Sequence, residues 1–138
     1  MNLLSPTKLL FWDGLFLMLI GFGQAINSII GYQFGIGGYK ILHVNRFAAL
    51  GFFEMNFLLG LFGLLILSTS KTAKYHLSLL GISSIIHAFI SFSNIFFWSD
   101  VFIINNATLT GSISIIVHLC ISMLSSFLIV KYYLSKRV

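Results

Sequence analysis

Charge is scarce in this sequence: 8% of its 138 residues are Asp, Glu, Lys or Arg, against about 25% in an average globular domain. A chain that is also 58% hydrophobic has too little polar surface to cover a water-soluble core. Cysteine occurs once, which excludes a disulfide framework and any zinc site built from several thiolates. Proline also occurs once, beside 15 Phe, so this is no disordered or proline-rich polymer. Acidic residues number only three, giving a net charge of +5. The eight basic residues stand singly or in pairs between apolar runs, however, and form no surface for nucleic acid.

What the chain has in quantity is long hydrophobic runs. Four of them, over residues 9–30, 47–67, 77–98 and 111–132, each approach the roughly 20 residues that cross a hydrocarbon core of about 30 Å. None shows the alternation of a barrel strand, and backbone groups in lipid must be paired within their own segment, so helices are expected. The expected fold is an all-α integral membrane domain, an up-down-up-down bundle of four transmembrane helices joined by short connections. Glycines crowded between Gly31 and Lys40 mark the first connection. No internal repeat or soluble appendage is visible.

Nine of the eleven charged residues lie at the edges of these runs or beyond them. Six Lys or Arg fall in the N-terminal tail, the second connection and the C-terminal end, against two in the first and third connections. That asymmetry predicts both termini on the cytoplasmic side, most simply of a bacterial cytoplasmic membrane. Trp98, Tyr32, Tyr39, Tyr132 and Tyr133 then fall at the interfaces, where aromatic belts form. Lys131, Lys136 and Arg137 suit the anionic inner leaflet. Lys8, the apolar residues after it and the small pair Gly23 and Ala25 resemble a cleavable secretory signal, but Asp13 interrupts the apolar stretch and the run continues too far. Asn106-Ala107-Thr108 is a glycosylation sequon on the outer connection, relevant only in a eukaryotic secretory pathway.

Polar side chains inside the runs are costly, so their positions carry information. Counted at 1.5 Å per residue, Gln24, Glu54 and His118 share a depth of about 9–12 Å from the outer boundary, and His87 lies about 16 Å deep with Asn94 above it. Ser84, His87, Ser91 and Asn94 follow helical steps, as do Ser114, His118, Ser122 and Ser125, so each set forms a stripe expected to face inward. The candidate ligand pocket is therefore Gln24, Glu54, His87, Asn94 and His118, with Glu54 as its acid–base group and with His43 and Arg46 at the entrance. Competing with it is a plain packing role, in which these groups hydrogen-bond between helices. Asp13, four residues inside its boundary, is expected to reach interfacial water or Lys8. Cys120 is expected to pack as a small apolar residue. No catalytic set and no metal motif of the HExxH kind is present. A haem held by His87 and His118 would need the two at one depth, and the counts put them about 5 Å apart.

The residues Asn45-Arg46-Phe-Ala-Ala-Leu-Gly51-Phe-Phe-Glu54, followed by Gly60-Leu61-Phe-Gly63, resemble the opening of the second helix in small DoxX-like four-helix bacterial membrane proteins. The resemblance implies an inner-membrane bundle, in some relatives tied to quinone-linked redox chemistry, and carries over no catalytic residue. The same segment resembles the Arg-to-Glu motif of glutathione- and eicosanoid-handling membrane enzymes, but the spacing here is eight and the third helix lacks the Arg and Tyr expected for glutathione. Small multidrug transporters also have four helices, but their membrane-embedded Glu sits in the first helix, where this chain has Asp13. The sequence is thus read as an accessory membrane protein binding a small polar, lipid-like or quinone-like molecule. The alternatives are a structural or partner-binding bundle, alone or within a larger complex or homo-oligomer, a proton-coupled transporter and a glutathione-type enzyme.

Overall fold

The computed structural model describes residues 5–37, 39–96 and 108–135. Among them four long helices dominate: α1 (Pro6–Phe34), α2 (Arg46–Thr69), α3 (His76–Phe96) and α4 (Thr108–Ser135), with short 3-10 turns at Lys40–Val44 and Ala73–Tyr75. All four are long and apolar enough to cross a membrane. The chain divides into two compact units, one of residues 11–71 and the other of residues 1–10 with 72–138.

Local chemistry sets the helix ends. Ser5 caps α1, its hydroxyl accepting from the Lys8 amide at 3.3 Å, and Pro6 takes the first helical position, where its missing N–H costs nothing. The sequence suggested a break near Gly31, but α1 runs one turn further. Gly31 is required for contact instead: a side chain there would strike the backbone of Tyr39 as the connection folds back. The stop comes at Gly35, which adopts the left-handed conformation (φ 63°) that glycine takes without a Cβ penalty. Asn45 caps α2, accepting from the Ala48 amide at 3.0 Å.

Within the first unit, α1 and α2 run antiparallel and touch backbone to backbone. A Cβ on Gly14 would lie 2.6 Å from the Leu67 amide nitrogen and 2.9 Å from the Gly63 carbonyl oxygen. Gly21 meets Gly60, and Gly63 meets the Met18 amide, so closely that no side chain fits at either position. Small residues permit this approach, which replaces the hydrophobic drive that lipid does not supply between helices.

The second unit reverses the usual inside and outside. Five of the nine buried residues of α3 and α4 are polar: Ser83, His87, Ser91, His118 and Ser125. Large apolar side chains such as Ile85, Phe89, Phe92, Ile116 and Met123 are exposed instead. That distribution is compatible with lipid around the helices. Trp98, the Asn106 sequon apart from Thr108, Lys136 and Arg137 lie outside the described residues.

Candidate functional site

The polar stripes of α3 and α4 face each other and form a hydrogen-bonded seam. Because the helices are antiparallel, α3 positions advance as α4 positions recede. Ser84 pairs with Ser122, whose hydroxyl donates to the Ser84 carbonyl at 3.0 Å, and the Ser84 hydroxyl lies 2.8 Å from that of Ser126. Ser83 meets Ser125 at 3.2 Å. Further along, the Asn94 amide donates to the Ser114 hydroxyl at 3.0 Å.

At the centre, His87 Nδ1 and His118 Nδ1 are 2.5 Å apart, with ring centroids 4.8 Å apart. Both residues are buried. The depth mismatch expected from the sequence disappears, because the two rings meet directly across the antiparallel helices and the described part of α4 already begins at Thr108 rather than Gly111. Of the facing pair one nitrogen donates the hydrogen and the other accepts it.

This geometry does not fit a haem. Axial imidazole nitrogens on opposite faces of an iron porphyrin stand about 4 Å apart, and even a tetrahedral metal with bonds of about 2.0–2.1 Å separates its ligands by about 3.3 Å. Here the two nitrogens are hydrogen-bonded to each other and leave no space for an ion between them. No group of three or more His, Cys, Asp or Glu suited to a metal occurs among the described residues.

Gln24 and Glu54 belong to the other unit. Gln24 is half-buried on α1, whereas Glu54 is exposed. Asn56, Gly60 and Gly63 turn toward α1, and Glu54 lies about 120–180° round the helix from them at 100° per residue. Asp13 sits about 10 Å into α1, which starts at Pro6, and of its two expected settings the open-water one does not hold, since it is buried at 3% exposure. Cys120 is exposed, not packed in a core.

A groove of about 240 Å³ opens at the end of α1 and the start of α2, lined by Ser28, Ile29, Tyr32, Gln33, Arg46, Ala49, Leu50 and Phe53. Arg46 supplies a fixed positive charge, Tyr32 and Gln33 supply polar groups, and Ile29, Leu50 and Phe53 form an apolar floor. Of the two expected entrance residues, Arg46 lines this groove. His43 does other work: its Nδ1 lies 2.7 Å from the Tyr32 carbonyl. A carbonyl only accepts, so Nδ1 carries the hydrogen and the ring caps the last turn of α1. Behind it Tyr39 packs against Phe52 with centroids 5.5 Å apart, and burial pushes its hydroxyl above the usual tyrosine value. Gln33 lies beyond Ile30, where the first apolar run ends, and Phe53 is one apolar side chain among many in the second run, so neither carries a signal in the sequence. The signal was Arg46 itself, a cation facing the aromatic and amide residues at the end of α1.

No protein-family model, no curated protein and no solved structure matches this chain.

Proposed function

We propose that this chain is an accessory protein of the bacterial cytoplasmic membrane, with both termini cytoplasmic, that holds the polar head of a lipid-like or quinone-like molecule at the outer end of α1 and α2. The Arg46 groove carries this reading. Its volume of about 240 Å³ is below the roughly 300–1,000 Å³ of sites that enclose a whole drug-sized ligand. It suits a headgroup, while an apolar tail would run along Ile29, Leu50 and Phe53 into lipid. Arg46 can meet a phosphate or carboxylate with two parallel hydrogen bonds, and Tyr32 and Gln33 can donate to a neutral quinone carbonyl. The excess of Lys and Arg at the ends assigned to the cytoplasm supports the orientation. The Asn45-to-Glu54 segment supports a DoxX-like affiliation.

The test is native mass spectrometry of the full chain extracted with its lipids, followed by titration with phosphatidylglycerol and, separately, a short-chain quinone. Wild-type protein should retain an amphipathic adduct that Arg46→Ala loses. Equal adducts in both proteins would overturn the assignment to this groove. A purely structural role has one specific observation in its favour, the closed seam of α3 and α4, whose polar groups already satisfy one another.

A further inference from the structure

The side of α2 turned away from α1 carries Phe47, Gly51, Glu54, Leu58, Leu61 and Leu65, and all six are exposed. Their spacing alternates between four and three residues, the 3.5-residue repeat that keeps one seam against a partner helix along its length. A Cβ on Gly51 would have nothing within 4 Å, which leaves an open notch one turn from Glu54. Glu54 makes no hydrogen bond or ion pair among the described residues. It lies eight residues into α2, about 12 Å from its start. An ionisable group at such depth in a membrane is costly and is normally turned toward protein.

The occupant that meets this face can be argued from the chain itself. Among the described residues every Lys and Arg lies within about two turns of a helix end or outside the helices, so none of these brings a cation from a second copy to the depth of Glu54. A second copy does bring its own Glu54, because copies inserted with one orientation and related by an axis along the membrane normal match depth for depth. Two carboxyl groups are self-complementary, because an O–H of one can donate to an oxygen of the other. A single polar position in an otherwise apolar seam also fixes register and partner number. We propose that this face of α2 docks on the same face of a second copy, with the Glu54 carboxyls paired at its centre. The Gly51 notch admits the close approach, and Leu58, Leu61 and Leu65 pack below.

The experiment uses the full chain with Cys120→Ser in vesicles of phosphatidylethanolamine and phosphatidylglycerol. Single cysteines are placed by Leu58→Cys, by Leu61→Cys and, about 90° round the helix, by Leu64→Cys. Oxidation should trap dimers through positions 58 and 61 and far less through 64. Energy transfer between labelled copies should show Glu54→Leu lowering the association constant by about three- to thirtyfold, the factor one or two interhelical hydrogen bonds supply. Glu54→Gln, whose amides can also pair, should keep most of it. Gly51→Leu, which fills the notch without touching the carboxyl, should lower it as well. A monomer at every dilution, equal trapping at 64, unchanged association in Glu54→Leu, or capture of a different polypeptide at position 58 would each overturn the proposal.

Discussion

His87 and His118 share one hydrogen between their Nδ1 atoms, 2.5 Å apart, at the centre of the α3–α4 seam. Serines flank the pair on one side and Asn94 with Ser114 on the other. Removing one ring takes away this hydrogen-bond partner of the other in a buried place. His87→Leu and His118→Leu should therefore each destabilise the α3–α4 unit by about 1–3 kcal/mol. The double variant should cost clearly less than the sum, because both polar groups leave together. Denaturant unfolding in detergent measures this, and strictly additive costs would show that the contact contributes nothing.

The glycine contacts between α1 and α2 are predicted to be sharply position-specific. Gly21→Val and Gly63→Val push a side chain into opposing backbone and should cost about 1–3 kcal/mol or more. Gly23→Ala meets open space and should stabilise α1 by about 0.5–1 kcal/mol through helix propensity alone. Thermal unfolding of the three variants would separate these outcomes, and a uniform response would count against close packing.

Loss of the His43 cap should be felt locally. In His43→Ala the Tyr32 carbonyl loses its donor, worth about 1 kcal/mol, so the amides of Phe34 and Gly35 should exchange about fivefold faster. Amides in the middle of α1 should not change. Hydrogen exchange resolved to single residues checks both statements.

Tyr39 gives the α1–α2 unit a pH dependence on the alkaline side. Its hydroxyl ionises near 10.0 in the unfolded chain and higher in the fold, so the fold favours the neutral form. The contribution is complete below pH 10 and is lost as pH rises through the folded value. Tyr39→Phe should flatten the stability curve in that range while leaving it unchanged near neutrality. A slope that survives the substitution would assign the effect to another group.

Much of the architecture is legible in the sequence. The length of the runs gives the four helices, and steps of three and four residues identify the stripes from Ser84 to Asn94 and from Ser114 to Ser125 that meet in the seam. The helix ends were less legible: Gly31 looked like a terminator but is a contact residue, and the true stop at Gly35 depends on a backbone angle. Counting from the ends of the apolar runs puts the two histidines about 5 Å apart in depth, because a run's edge marks the limit of hydrophobicity and not the register between two helices, which their contact sets.

The sequence by itself determined which residues share a helix face, because helical periodicity is a local property. Only the tertiary structure decided which face meets which neighbour. In α2 two faces competed for α1, one with Glu54 and one with Asn56, Gly60 and Gly63. The glycine face won because it lets two backbones touch along several turns. Glu54 was left on the outside as a consequence, and Arg46 was brought over the end of α1.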